Sequence, residues 1–402
     1  MKRSTDRIRT THVGSLPRPL ALIKMVMAKD REEPVDEAAY EQELARAVDE
    51  VVRQQVEARL DVVNDGEFSK RGFNTYVNER LGGTHPTGNR RPSSWGRSRE
   101  YAEFPEFYGI QRPETPNDAA RSSEDRPKVS RHNMEMAVTE PLTYQGHPQL
   151  ERDFANLRRA AEAAGADEVF VPAISCCDIF PNQVNEYYKD DDEFLFAIAD
   201  VMREEYQAIV NAGFLIQVDD PNLVTYYMKE PGASIEDCRK WAERQVEAIN
   251  HSIRGIPRDR IRYHTCYSID VGPRVHDMEL RHMLDIILKV KAGAFSFEAA
   301  NARHEHEWRL WEDYELPEDA ILIPGMITNS SVVVEHPELI ADRICRFANL
   351  VGRENVIAGA DCGFGAVAKE EYPVHPSIIW AKFRAMAEGA DIATNRLWNR
   401  RD

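Results

Sequence analysis

Residues 261–298 read IRYHTCYSIDVGPRVHDMELRHMLDIILKVKAGAFSFE. Two short apolar runs, 261–266 and 294–298, flank a stretch at 278–292 in which apolar residues return every three or four positions. The runs have the length and the β-branched and aromatic content of buried strands, and the stretch between them has the period of an amphipathic helix. Strand, helix and strand joined in this way form a βαβ unit with parallel strands. The same alternation extends in both directions. Further strand-like runs lie at 10–16, 61–65, 136–139, 168–174, 214–218, 321–327 and 355–360. Helical periods lie at 37–58, 150–164, 192–211, 234–252, 337–350 and 377–388. Gly165 and Gly213 stand where helices should stop before the next strand. The expected fold is an α/β (β/α)8 TIM barrel, spanning residues 1–402 as one domain. The runs outnumber the eight strands a barrel uses, so one of them belongs outside it.

One stretch breaks the rhythm. Residues 85–131 are rich in Pro, Arg, Ser and Asn and carry neither period. They read as a long insertion, a βα loop after the second strand. Trp95, Tyr101, Phe104, Phe107 and Tyr108 favour an ordered excursion over a linker.

Composition narrows the function. The chain has 402 residues, 42% hydrophobic and 30% charged, which suits a globular protein with a large core. A formal net charge of −17 and the lack of a basic stripe argue against a nucleic-acid partner. The basic start has no apolar run behind it, and no segment approaches 18 apolar residues, so neither a secretion signal nor a membrane span is expected. Cytoplasmic location follows as an expectation, with the six cysteines reduced and available as ligands. Composition leaves homo-oligomerisation open.

The chemistry-bearing residues fall at strand ends. His264 and Cys266 are two apart in YHTCY (263–267), so their side chains share one face of a strand. Alone, such a pair is as compatible with a buried polar pair in the barrel core. AFSFE puts Glu298 at the end of the next strand, and GADCG puts Cys362 at the end of the last. In a barrel these ends converge on the C-terminal face, where such enzymes keep their chemistry. One imidazole, two thiolates and one carboxylate suit tetrahedral zinc. A carboxylate is the most easily displaced of the four, and a substrate thiol taking its place would become a nucleophile near neutral pH.

The strings TTHVGSLPRP (10–19), NDGE (64–67), QVDDP (217–221), HTC (264–266), Glu298 and DCG (361–363) occur in the order found in the catalytic barrel of cobalamin-independent methionine synthase. From about residue 7 to residue 366 the chain resembles that family. The resemblance implies zinc held by His264, Cys266, Glu298 and Cys362, and methyl transfer to a thiol such as homocysteine in methionine biosynthesis. It also implies that Gly14 and Ser15 bind the acceptor's carboxylate and that Glu67 and Asp219 hold its amino group. The alternatives from residue type alone are a turn glycine before Pro17, and salt bridges from the two acids to barrel arginines.

The chain also departs from that family. It is long enough for one barrel, where the full-length synthase resembles two fused barrels. Where the family places an acid histidine, residues 323–331 read IPGMITNSS, so a proton for the leaving group must come from elsewhere. Methyltetrahydrofolate and a methylcorrinoid protein are both open as donors. Single-barrel relatives include epoxyalkane:coenzyme M transferases, which open an epoxide with a thiol. A metal-free enzyme resembling uroporphyrinogen decarboxylase is a further reading, and it would have no use for the His264, Cys266 and Cys362 set. Cys176 and Cys177 are adjacent and read as small buried residues at a strand end. The acidic run at 190–193 reads as the first turn of a helix. His304 and His306 read as a solvated face or a substrate-facing loop, and the tyrosine pairs at 187–188 and 226–227 as candidate pocket residues.

Overall fold

A computed structural model describes residues 1–92, 96–111, 131–267 and 272–399. Its strands are β1 (Arg9–Thr10), β2 (Val62–Val63), β3 (Leu81–Arg90), β4 (Met134–Tyr144), β5 (Glu168–Ile174), β6 (Gln183–Asn185), β7 (Leu215–Asp219), β8 (Ile261–Thr265), β9 (Ala294–Phe297), β10 (Ile321–Ile327) and β11 (Ile357–Ala360). Eight form one parallel sheet in the order β1-β11-β10-β9-β8-β7-β5-β2. A parallel bridge between Thr11 and Val62 brings its two edges together into a barrel. Asp61 ties this seam. Its N–H donates to Thr10 O at 3.0 Å, its carbonyl accepts from Glu168 N at 3.2 Å, and its carboxylate accepts from Thr10 N at 2.8 Å.

The expected helices surround the barrel, the main ones being Glu37–Glu57, His147–Ala164, Asp191–Asn211, Ile235–Ser252, Pro337–Val351 and Pro376–Leu397. Local chemistry sets their ends. Asp190 caps its helix by accepting from Glu193 N, with Asp191, Asp192 and Glu193 in the positive first turn. Ser234 and Asp237 form a reciprocal capping box. Gly165 leaves the preceding helix at φ +68° and Gly213 follows its helix at φ +93°, conformations that suit glycine.

The run outside the barrel is 136–139. It lies within β4, which pairs antiparallel with β3 and parallel with β6 in a separate three-stranded sheet. The excursion expected at 85–131 as a loop therefore begins as the second half of β3. That strand reads LGGTHPTGNR, with Gly83 and Gly88 at positive φ, register shifts on both sides of Thr84–Pro86 and an exposed outer half. Its pairing to β4 defines it, and its own alternation does not. Two short helices follow, Arg99–Glu103 and Pro105–Gln111, and aromatic contacts order them as expected: Tyr108 meets Tyr101 and Phe107, each at 5.3 Å between ring centroids. Arg99 fastens the segment to the barrel mouth, its guanidinium 4.0 Å above the Tyr227 ring and its Nε donating to Tyr227 O at 2.8 Å. Trp95 and residues 112–130 lie outside the described residues.

The helix expected at 278–292 is instead a 3₁₀ turn, Leu280–His282, and a four-residue helix, Leu284–Ile287. Tertiary partners claim its backbone: Tyr267 Oη donates to Met278 O, and Leu280 N donates to Glu307 Oε1, both at 2.7 Å. Leu20–Asp30 and Asn222–Lys229 are helices that the hydrophobic period did not single out.

Asp61→Ala removes the acceptor of the buried Thr10 N–H at the seam, at a cost of about 1–3 kcal/mol. Chemical denaturation should show this loss as a lower midpoint.

Candidate active site at the C-terminal ends of the strands

The parallel register places Asp219 of β7 beside His264 of β8, and His264 beside Ser296 of β9. His264 is buried, and with Nδ1 hydrogen-bonded to Ser296 Oγ at 3.1 Å its Nε2 has no partner among the described residues. Burial, then the nearby Arg262 guanidinium, pushes its pKa down to about 3. The imidazole is therefore neutral and can act as a ligand. Cys266 directly follows the same strand and Cys362 follows β11, their sulfurs 2.9 Å apart. The Cys362 thiol, then burial, raises the pKa of Cys266. Ligand atoms of His264, Cys266 and Cys362 all lie within 4.8 Å of one another, near enough to share one metal ion.

The fourth expected ligand is placed differently. Glu298, directly after β9, is buried but stands outside that group of three. Its Oε1 accepts from Tyr267 N at 2.7 Å. Its Oε2 accepts from Asn301 Nδ2 at 2.7 Å and from Arg274 Nη2 at 3.2 Å.

His264, Cys266 and Cys362 line a cavity of about 730 Å³, together with Val13, Ser15, Glu67 and Asp219. Glu67 and Asp219 are buried. Gln217 Nε2 donates to Asp219 Oδ1 at 2.8 Å, and Lys70 Nζ lies 3.3 Å from Glu67 Oε2 without hydrogen-bond geometry. Burial, then the charge of Glu67, raises the Asp219 pKa well above the ordinary range. Glu67 sits at φ +61°, a strained conformation for a side-chain-bearing residue. The NDGE turn holds it there: Asn64 Oδ1 accepts from Gly66 N and Asp65 Oδ1 from Glu67 N, both at 2.9 Å. Arg18 binds the carbonyls of Glu67, Lys70 and Gly365. Gly14 packs against the same corner at φ +146°, where a Cβ would stand 2.8 Å from Pro172 Cγ and 3.0 Å from Glu67 Oε1. At Gly363 a Cβ would meet Ser15 Oγ at 2.1 Å.

Other candidates resolve into structure. Cys176 and Cys177 are fully buried, their sulfurs 3.8 Å apart, at the start of a short helix capped by Ser175. His304 is neither solvated nor among the cavity residues. It stacks on Tyr267 at 3.9 Å between Asp277 and Glu307. Burial opposes its charge, but those two acids outweigh it and raise its pKa to about 9. Tyr226 lines the cavity, whereas Tyr227 lies under Arg99.

The cavity lining also holds groups that residue spacing did not reveal: Arg91, His132, Asp178 and Lys229. Lys229 Nζ donates to Asn222 Oδ1 at 3.1 Å, and among the described residues no carboxylate lies within 4 Å of it. Burial lowers its pKa, against the opposing charges of Asp178, Asp220 and Cys266. Only the helix Asn222–Lys229, with Lys229 in its last turn, could have pointed to it.

A parallel barrel with thiols, an imidazole and paired carboxylates at the C-terminal strand ends has the architecture of α/β-barrel enzymes that act on small molecules at that face. Residues 8–121 and 182–375 match the family described as the cobalamin-independent synthase, catalytic domain, and the chain belongs to that family. It is 21% identical over 355 residues to a methionine synthase of Pyrococcus horikoshii, covering 88% of this chain and 85% of that one. A methionine synthase of Sulfolobus acidocaldarius is 27% identical over 259 residues, or 64% of this chain and 61% of the relative. The fold matches a B12-independent methionine synthase from a Shewanella species, solved with selenomethionine, at a TM-score of 0.70 and 18% identity, over 98% of this chain and 99% of that one. A putative vitamin-B12 independent methionine synthase from Listeria monocytogenes matches at 0.64 and 19% identity, over 96% and 99%. No helix among the described residues is long and apolar enough to cross a membrane.

The raised pKa of Asp219 makes a stability prediction. A carboxyl whose folded pKa exceeds its unfolded value costs nothing below the unfolded pKa, destabilises progressively as pH rises from there toward the folded pKa, and does so fully above it. Asp219→Asn should therefore raise the thermal midpoint at about pH 8, with the gain vanishing below about pH 4.

Proposed function

We propose that this protein is a zinc-dependent alkyltransferase that passes a methyl group to the sulfur of a small thiol, homocysteine being the acceptor its site suits best. The observation that carries the reading is the buried Nε2 of His264, without a partner beside two thiols on the wall of a cavity that also holds Glu67 and Asp219. A neutral imidazole and two close sulfurs fit zinc, whose charge would offset the cost of ionising adjacent thiols. Zinc there would supply a Lewis acid that lowers the pKa of an incoming thiol.

The chain's own residues do the rest. An amino-acid thiol would place its ammonium between Glu67 and Asp219, where its charge would offset the burial and the Glu67 charge that raise the Asp219 pKa. Ser15 and the backbone at Gly14, against the Glu67 corner, would hold its carboxylate. Lys229, in the same cavity and free of a carboxylate partner among the described residues, would carry at Nζ the proton that a leaving group needs. It would do so in place of a histidine just after β10, where Thr328 and Asn329 stand. The family membership favours a methylfolate donor over a methylcorrinoid protein. The presence of Lys229 supports a second reading, thiol opening of an epoxide, which needs the same proton at the departing oxygen. A metal-free decarboxylase is disfavoured by the acids and thiols that line the strand ends.

The test is turnover of the zinc-loaded protein with homocysteine, coenzyme M and glutathione, each offered with methyltetrahydrofolate, a methylcorrinoid protein and an epoxide. Methionine formation from homocysteine is expected, and failure of every pair would overturn the proposal. Cys362→Ser should lose both zinc and activity. Lys229→Met should keep zinc and lower kcat about 10²-fold or more.

A further inference from the structure

The partners of Glu298 give its carboxylate a complete second home. Two hydrogen bonds of 2.7 Å, from Tyr267 N and Asn301 Nδ2, and the Arg274 guanidinium at 3.2 Å satisfy both oxygens and supply a countercharge. Each partner is itself held. Arg274 Nε donates to Asp277 Oδ2 at 3.0 Å, and Asp277 also meets His304 Nε2 at 3.3 Å. Asn301 Nδ2 reaches Asp361 Oδ2 at 3.1 Å, and the other oxygen of Asp361 accepts from Ala299 N and Ala300 N, both at 2.8 Å. Tyr267 directly follows Cys266, and in the β8–β9 register Thr265 pairs with Phe297, so Cys266 and Glu298 stand next in line just beyond neighbouring strands. The carboxylate thus lies within a side-chain rotation of the three ligand residues while bonded away from them.

Resting on the proposed zinc-dependent reading, we propose that Arg274, Asn301 and the Tyr267 N–H form a dock that receives the Glu298 carboxylate whenever a substrate sulfur takes the fourth place at the metal. Arg274 is then a positioning residue for ligand exchange. Glu298 and the thiol compete for one position, and the dock sets the balance. Weakening the dock returns the carboxylate to the metal, so zinc is held more tightly in the absence of thiol and thiol binds more weakly. The two changes are linked and equal in size. A merely structural Arg274 would not move them in opposite directions.

The experiment measures zinc affinity by chelator competition, and thiol binding from the absorption of the cobalt(II)-substituted protein titrated with L-homocysteine and with 2-mercaptoethanol. Removal of a charged hydrogen-bond partner should make Arg274→Met bind zinc about tenfold more tightly and require about tenfold more thiol. Asn301→Ala should shift both in the same directions by less, which keeps the test open if Arg274→Met does not fold. In a Glu298→Ala background the Arg274→Met change should alter neither quantity, because no carboxylate remains to be docked. Unchanged affinities in Arg274→Met and Asn301→Ala, or the same shifts without Glu298, would overturn the dock while leaving the zinc reading intact. A wild-type cobalt spectrum that neither thiol perturbs would overturn both.

Discussion

Closure of the parallel sheet between β1 and β2 is the constraint on which the site depends. The cavity residues Ser15, Glu67, Asp219, His264, Cys266 and Cys362 come from distant parts of the chain, and only a barrel brings the ends of the first and last strands to one rim. The seam rests on one bridge and on Asp61, whose backbone and carboxylate together hold β1, β2 and β5. Below the rim, Arg262 fills the barrel on the same strand as His264. It donates to Thr11 Oγ1 and His12 O and lies 3.9 Å over the Phe170 ring. Burial lowers even its pKa, to about 9, and its charge helps to keep His264 neutral. Seam and site are thus electrostatically joined.

The rim concentrates buried acids. Asp65, Asp220 and Asp361 are each raised to about 6, chiefly by burial, and Asp219 is raised further. A fold selected for stability alone would not gather them. Some are structural: Asp65 and Asp220 accept backbone N–H groups in tight turns, and Asp361 organises the turn after β9. Asp219 and Glu67 have fewer partners and face the cavity, where a cationic ligand group would relieve them. The distinction between scaffold acids and cavity acids lies in their hydrogen-bond partners.

The three-stranded sheet and its flanking residues border the cavity, with Glu135 of β4 and Gln183 and Val184 of β6 among its lining. They contribute Arg91 and His132 to its wall, and Glu100 accepts from Val275 N and His276 N at 2.7 Å, next to Arg274. Cavity wall and Glu298 environment therefore share one supporting element.

Much of this was legible in the chain itself. Every barrel strand announced itself as an apolar run, and His264, Cys266, Glu298 and Cys362 stood at run ends, because strand periodicity and helix period are local properties of adjacent residues. The sequence by itself therefore determined the barrel and which side chains could reach its rim. It did not determine β3, whose glycines and proline hide its pairing, or the broken helix at 278–292, whose backbone partners come from distant residues. The tertiary structure alone decided that three of the four expected ligands draw together while Glu298 is bonded to Arg274 and Asn301, and that Lys229 faces the same cavity. Those outcomes depend on hydrogen bonds and burial between residues far apart in the chain, and no local pattern encodes them.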